Sequence, residues 1–439
     1  MDYKEYNNQI DSKIDWVGDV PQHWKKSKFK HEFSFSKSVN TSKNPTILSL
    51  TLQGIKIRDI STNEGQIASS YDNYTKVYKS DIVLNPMDLI SGFVDCSPVE
   101  GVISPAYYTL KPNKDIDPEY YKYYLQKHYY ERIFFPFAEG VSVDHRWTLK
   151  KEDFLNFSLI KPPIKEQKQI ANYLSKQTAK IDATIEKNKE LIELLEEKRI
   201  ALINQVVAKG LNPNVSMKDS GIKWIGEIPK HWDVEKIKNI SQVRPSNVDK
   251  KTKANEPQIL LCNYTDVYNN EFITMDLDFM KATATHDQIR KLSLDVGDVI
   301  ITKDSESADD IAVPAIVTEK LENVVCGYHL TVIRPNSTII NPKFLFRSFE
   351  SDRINKQFEL GSNGVTRFGL GSYPINNAYI CKPPLNEQAE IVQYLDIETS
   401  RIAKATDKIL KHTELLEEYK TSLIHHVVTG KIDVRGEVI

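Results

Sequence analysis

The sequence predicts an α+β fold: two β-rich domains separated by two long helices that form an antiparallel coiled coil, with the whole chain arranged as a pseudo-two-fold internal repeat. Three observations lead there. The string Asp11-Ser-Lys-Ile-Asp-Trp-Val-Gly-Asp-Val-Pro-Gln-His-Trp24 returns as Asp219-Ser-Gly-Ile-Lys-Trp-Ile-Gly-Glu-Ile-Pro-Lys-His-Trp232, using four of the chain's 5 Trp at one spacing. A second string, Lys161-Pro-Pro-Ile-Lys-Glu-Gln, returns as Lys382-Pro-Pro-Leu-Asn-Glu-Gln and opens a heptad pattern each time. Between the two strings the chain reads as short β-rich runs punctuated by Gly, Asn, Asp and Pro.

The offset between copies is 208 at the Trp string and 221 at the Pro-Pro string, so the second copy gains 13 residues in its middle. Alike ends around unlike middles suggest one scaffold carrying two different surfaces. The expected segments are 1–162 and 211–383 for the β-rich domains, 163–210 for the first helix, and 384–439 for the second helix and tail. At 439 residues two or three domains are expected, and 40% hydrophobic with 27% charged residues suits a globular protein. No apolar run approaches the ~20 residues of a membrane span. The polar start, Met1-Asp-Tyr-Lys-Glu, lacks the apolar core of a signal peptide. Cys96, Cys262, Cys326 and Cys381 are widely spaced, which disfavours metal and disulfide and suits reduced thiols in a cytoplasm.

Within the first middle, strands are predicted at 46–50, 80–84 and 102–110, and within the second at 259–261, 298–302 and 330–333. A helix interrupts each set, at Asp117-Pro118 and at Asn341-Pro342, where the first residue caps and Pro takes the first turn. The aromatics that follow each cap fall at helical spacing and read as core rather than as a base-stacking platform. The Pro-Pro strings start the long helices, placing Glu166 and Glu387 near the positive end of the helix dipole. No Pro or Gly occurs from Ile164 to Lys209, and ~45 helical residues span ~68 Å. The first seam is Leu174, Ile181, Asn188, Leu195 and Leu202; the second is Leu395, Ile402, Ile409, Leu416 and Leu423. A seam mixed with Asn188, Arg199 and several Thr is weak alone, so each helix is expected to pair with the other copy, Asn188 helping to set register; the alternatives are packing on its own domain or pairing with another chain. Arg199 and Lys420 are expected to mark a docking edge.

The net charge of −2 is unevenly spread. Residues 20–60 carry eight Lys/Arg against two acids, and residues 230–253 carry seven against three, each patch following a Trp string. Lys37 and Lys43 in the first stretch, with Arg244, Lys250 and Lys251 in the second, are the candidates for holding phosphates, and Asn40, Arg58 and Asn247 are further candidates for contacting DNA; the alternative is a solvated face. A Gly-containing loop follows each short helix, and each holds one Arg before an aromatic: Arg146-Trp147 and Arg367-Phe368. Glycine permits close approach, and Arg grips guanine or phosphate in bidentate fashion. Ser362 and Asn363 in the second loop, and Lys303 and Ser305 in a separate polar run, are further candidates for contacting DNA; the alternative for the run is a solvated loop.

Catalytic motifs are missing. There is no phosphate-binding G-x-x-x-x-G-K-[ST], and Asn85-Pro86-Met87-Asp88 lacks the second Pro and aromatic of an amino-methyltransferase. No H-E-x-x-H or C-x-x-C provides metal ligands, so no catalytic or metal residue is expected. Thr318-Glu319-Lys320 echoes a nuclease only in part, and His23 and His231 read as structural.

The W-I-G-E-I-P-x-H-W string, the K-P-P-x-x-E-Q-x-x-I helix start and the closing L-I-H-H-V-V-T-G-K-I-D-V-R together resemble specificity subunits of type I restriction–modification systems. The resemblance covers almost the whole chain. It implies two target-recognition domains that each read half of a split sequence in double-stranded DNA, with the helices fixing the gap. It implies partners: methyltransferase subunits, two by symmetry, and restriction subunits. AdoMet, ATP and Mg²⁺ would belong to those partners, with none in this chain. The competing expectation is a non-catalytic adapter, two β-rich domains on a helical hairpin that bridges proteins.

Overall fold

A computed structural model describes residues 4–60, 68, 70–90, 93–140 and 147–436. The chain forms two compact units, residues 1–188 with 410–439 and residues 189–409. The fold is α+β and repeats internally. The division falls within the two long helices, Ile164–Lys209 and Leu385–Val428, so each unit takes the start of one helix and the end of the other. Among the described residues no helix is long and apolar enough to cross a membrane.

The first unit is built on a four-stranded antiparallel sheet in the order Phe33–Phe35, Tyr108–Pro112, Ile82–Leu84, Val94–Cys96. Strand alternation gives the sheet two apolar faces. Ile82, Leu84 and Leu110 enter the main core, whereas Val83 joins Leu48, Ile55, Val77 and Ile103 in a smaller one. Helix Pro118–Tyr130 covers the main face, its start capped by Asp117, which accepts from the Tyr120 amide at 3.0 Å. Tyr120, Tyr121 and Tyr124 are fully buried, so the aromatics are core. The run 102–110, expected as one strand, divides into Gly101–Ile103 and Tyr108–Pro112. Pro105 has no N–H to offer a ladder, and the chain turns there, Tyr107 N donating to Ser104 O at 3.1 Å.

In the second unit a five-stranded sheet runs Ser241–Pro245, Leu330–Pro335, Val299–Thr302, Pro314–Val317, Phe272–Ile273, with only the last pair parallel. Val299 and Ile301 face one core and Ile300 the other. A three-stranded sheet, Met280–Thr283, Gln258–Cys262 and Val324–Cys326, encloses that second core. Asn341 caps helix Pro342–Phe349 by accepting from Lys343 N at 2.9 Å and Phe344 N at 3.3 Å. All four cysteines are buried and free.

The long helices begin directly after Pro163 and Pro384. Inside the first unit they run antiparallel: Asn188 Nδ2 donates to Thr413 Oγ1 at 2.9 Å, and Asp182 pairs with Lys420 at 2.6 Å, one number falling as the other rises. Leu174, Ile181 and Leu423 are buried there, with Asn188 and Leu416 half-buried. Inside the second unit Leu395 and Ile402 are buried, and Leu195, Leu202 and Ile409 are half-buried. Arg199 and Lys420 face internal partners. Arg199 pairs with Glu350 and lies 3.7 Å from Glu271, while Lys420 takes Asp182.

The two repeated strings meet in space. Glu166 at the first helix start accepts from Trp24 Nε1 at 3.0 Å and binds His23 Nε2 at 2.7 Å. Glu387 does the same in the second unit with Trp232 at 2.9 Å and His231 at 2.7 Å. The adjacent glutamines bind the backbone ahead of the short helices: Gln167 Oε1 accepts from Asp117 N at 2.8 Å, and Gln388 Oε1 from Asn341 N at 2.6 Å.

Two tests follow from this packing. Glu166→Ala strands the buried Trp24 N–H, which costs about 1–3 kcal/mol, and urea unfolding should show that loss while Glu166→Gln, which keeps an acceptor, loses less. His128 is fully buried, its Nδ1 2.7 Å from Tyr124 O, and burial aided by the Lys127 charge pulls its imidazole down to about 3. Unfolded, it titrates near ~6.5. Below that pH the unfolded chain binds a proton that the folded chain refuses, so this contribution is complete above pH ~6.5 and is lost progressively on acidification toward the folded value. The urea midpoint of wild type should therefore fall more steeply between neutral and mildly acidic pH than that of His128→Phe; parallel slopes would refute the assignment.

Candidate nucleic-acid interface

In the first unit, Lys37 and Lys43 are exposed on the segment that leaves strand Phe33–Phe35. Asn40 braces that segment: its amide donates to Ser42 O and Tyr71 O, both at 3.1 Å, and its carbonyl accepts from Ser42 N at 2.9 Å. Arg58 is half-buried after the hairpin Leu48–Thr51/Gly54–Ile57, and its amide donates to Ile47 O at 2.8 Å. Arg146 lies outside the described residues. The strands beside it, Glu139–Gly140 and Trp147–Thr148, pair antiparallel.

The second unit assembles more of its candidates. Arg244 sits half-buried in the edge strand Ser241–Pro245 and donates to Lys291 O at 3.2 Å. Asn247 Oδ1 accepts from Gln288 Nε2 at 3.1 Å. Lys250 and Lys251 are exposed, in a turn where Asp249 accepts from Lys251 N at 3.0 Å.

The polar run at 303–305 and the loop at 362–367, read separately in the sequence, come together. Asp304–Ser305 pairs antiparallel with Phe368–Gly369, and Leu370 N donates to Lys303 O at 2.7 Å. Asn363 and Gly369 exchange backbone hydrogen bonds at 3.0 and 2.9 Å, closing a hairpin whose tip exposes Val365 and Arg367. A Cβ at Gly364 would collide with the Arg367 carbonyl, so this tight closure requires glycine there. Ser362 Oγ bonds back to Glu359 O at 2.8 Å, at the end of helix Asp352–Gly361.

Sequence reasoning missed the neighbours of this hairpin. Lys303 Nζ lies 4.4 Å from the centre of the Tyr328 ring, and His329 Nδ1 is 2.7 Å from Asp304 Oδ2. Tyr264 and Tyr268 stack at 5.4 Å and 17°, and Tyr268 OH donates to Asp310 Oδ2 at 3.0 Å. That bond pushes the Tyr268 hydroxyl above its usual range. The available signal was the Tyr-x-x-x-Tyr spacing behind Asn263 in a capping box, which puts both rings on one helix face.

Residues 28–195 and 229–412 both match the family model of the type I restriction modification DNA specificity domain. The chain belongs to this family. It is 23% identical over 382 residues to the type I restriction enzyme MjaVIII specificity subunit of Methanocaldococcus jannaschii, covering 83% of each chain. Its fold is similar to a solved chain of a type I R-M system, with a TM-score of 0.70 at 13% identity over 95% of this chain and 99% of that one. It is also similar to the HsdS subunit from Thermoanaerobacter tengcongensis, with a TM-score of 0.53 at 14% identity over 94% and 98%. The two matched stretches are the two repeats. Each holds a central sheet and a short helix that opens on a capping residue and Pro, and runs into a long helix.

Proposed function

We propose that this chain is the non-catalytic, DNA-reading subunit of a cytoplasmic type I restriction–modification complex. Each unit reads one half of a bipartite duplex target. One observation carries this reading: the same Glu–His–Trp clamp and Gln–cap contact recur in both units, while the sheets between them differ in strand number and order. A protein that must hold two readers in the same way and give them different targets needs that division.

Methyltransferase subunits, two by the internal symmetry, and restriction subunits would bring the chemistry, with AdoMet, ATP and Mg²⁺ bound in them. Lys37, Lys43, Lys250 and Lys251, being exposed, would hold phosphates, with Arg58 and Arg244 beside them. Asn40 and Asn247, already engaged in local bonds, would shape the backbone that carries those cations. Lys303, Ser305, Ser362, Asn363 and Arg367 would line the base-reading surface of the second unit, and Arg146 would serve the first. The paired helices would set the gap between half-sites.

Two measurements test this. Replacing Lys250 and Lys251 by Ala should weaken binding to all duplex sequences alike and flatten the log–log salt dependence by about two; a change confined to one sequence would contradict a phosphate role. Inserting one heptad into each long helix, opposite one another so that the seam is kept, adds about 10 Å. The tolerated gap should lengthen by about three base pairs at ~3.4 Å each, with both half-site sequences unchanged. Mapping methylated sites in cells carrying the variant reads this directly, and an unaltered gap would remove the helices from the role.

A further inference from the structure

The surface around the hairpin of the second unit carries an acid where a DNA-facing surface should avoid one. Asp310 accepts from Tyr268 OH at 3.0 Å and from Ser305 Oγ at 3.4 Å, both on Oδ2. Its Oδ1 takes no bond among the described residues. The two donors come from separate elements, helix Tyr264–Tyr268 and strand Asp304–Ser305. Tyr268 is stacked on Tyr264, and Ser305 is fixed by its strand pairing with Phe368.

Arg367 precedes Phe368 at the hairpin tip, exposed, and its guanidinium makes no hydrogen bond or ion pair among the described residues. The two charges share a neighbour in Ser305, whose hydroxyl donates to Asp310 Oδ2 at 3.4 Å and whose backbone pairs with Phe368, the residue after Arg367. Acid and base therefore adjoin one strand residue without being paired to each other among the described residues.

A carboxylate facing duplex DNA is repelled by the phosphates unless it meets an exocyclic base amine. In the major groove those amines are cytosine N4 and adenine N6. The adjacent Arg decides between them. Beside cytosine N4, across the same pair, lie guanine O6 and N7, two adjacent acceptors that a guanidinium grips bidentately; adenine N6 instead sits between adenine N7 and thymine O4, so no two adjacent acceptors remain for it.

We propose that Asp310 and Arg367 together read a single C·G base pair in the half-site of the second unit, Asp310 Oδ1 accepting from cytosine N4 and Arg367 donating to guanine O6 and N7. Tyr268 is a positioning residue that holds the carboxylate. This deepens the DNA-reading function and depends on it.

The test uses the full chain assembled with its methyltransferase subunits and selects binders from a library of randomised DNA duplexes. Wild type should select a bipartite sequence. Asp310→Asn should relax or switch one position of one half-site, because an amide suits adenine, with discrimination at that pair falling by about 5- to 150-fold. Arg367→Ala should relax the same base pair. The other half-site, read by the first unit, should stay unchanged and reports that the assembly is intact. If Asp310→Asn selects the wild-type sequence, or if the two variants alter different base pairs, the proposal is overturned while the bipartite reading stands. If wild type selects no bipartite sequence, it is the underlying function that fails. Should Asp310→Asn abolish binding, Tyr268→Phe decides: it must loosen that one position without lowering affinity for the rest of the site, and undiminished discrimination there overturns the assignment.

Discussion

The structure depends on one carboxylate in each unit, placed at the first turn of a long helix and clamped by a His and a Trp from the opening of that repeat. Glu166 and Glu387 lie where the helix dipole favours negative charge. Each also receives a buried indole N–H, so the helix cannot rotate or slide without stranding a polar group. The neighbouring Gln faces another way and binds the backbone N–H just ahead of the short capped helix. Two consecutive residues thus tie the long helix to the start of the domain and to the sheet's covering helix. This is the physical reason why the two repeated strings, more than 130 residues apart in each copy, recur together.

The indoles reach further than their own repeat. Trp24 packs where Gly430 ends the second long helix, and Trp232 packs where Gly210 ends the first. Both glycines have positive φ, +70° and +73°, and a side chain at either would press on the ring. Each unit therefore closes around the start of one helix and the end of the other. Position 204 of the first helix bonds Ser351 through Asn204, and its repeat partner His425 bonds Glu131, so the helix ends are fastened at matching places.

Much of this was legible because it is local or repetitive. Pro-Pro starts, Asp117 and Asn341 caps and heptad seams are short-range signals, and the internal repeat made each visible twice. The strand break at Pro105 was missed because apolar character continues through it and conceals a turn that needs only one missing N–H. The charged seam positions show another limit. Arg199 has Glu196 one turn away, but its partner Glu350, like Asp182 for Lys420, lies on another element and leaves no local signal. Around the hairpin the same limit applies. Residues 303–305 and 368–370 meet through a two-residue strand pairing that leaves no periodicity to read, and Asp310, an acid in an acidic run, gave no signal until its donors were in place.

One matched position shows how the scaffold tolerates divergence. In the first unit Tyr123, on the short helix, has its hydroxyl 3.3 Å from Thr178 on the long helix. In the second unit the equivalent contact is made by Arg347, 3.3 Å from Thr399, and the change of residue brings a set of acids with it. Arg347 is 2% exposed and pairs with Glu271 at 2.5 Å, Glu350 at 2.8 Å and Asp396 at 3.2 Å. Burial raises the Glu271 carboxyl, and the Arg347 charge opposes that rise. Removing the partner of a buried cation costs about 3–5 kcal/mol, so Arg347 needs its acids where the neutral Tyr123 of the first unit needs none. In both units the short helix meets the long one through a polar group facing a threonine hydroxyl. It is in the sheets beyond that the described residues of the two repeats differ, in strand number and in order.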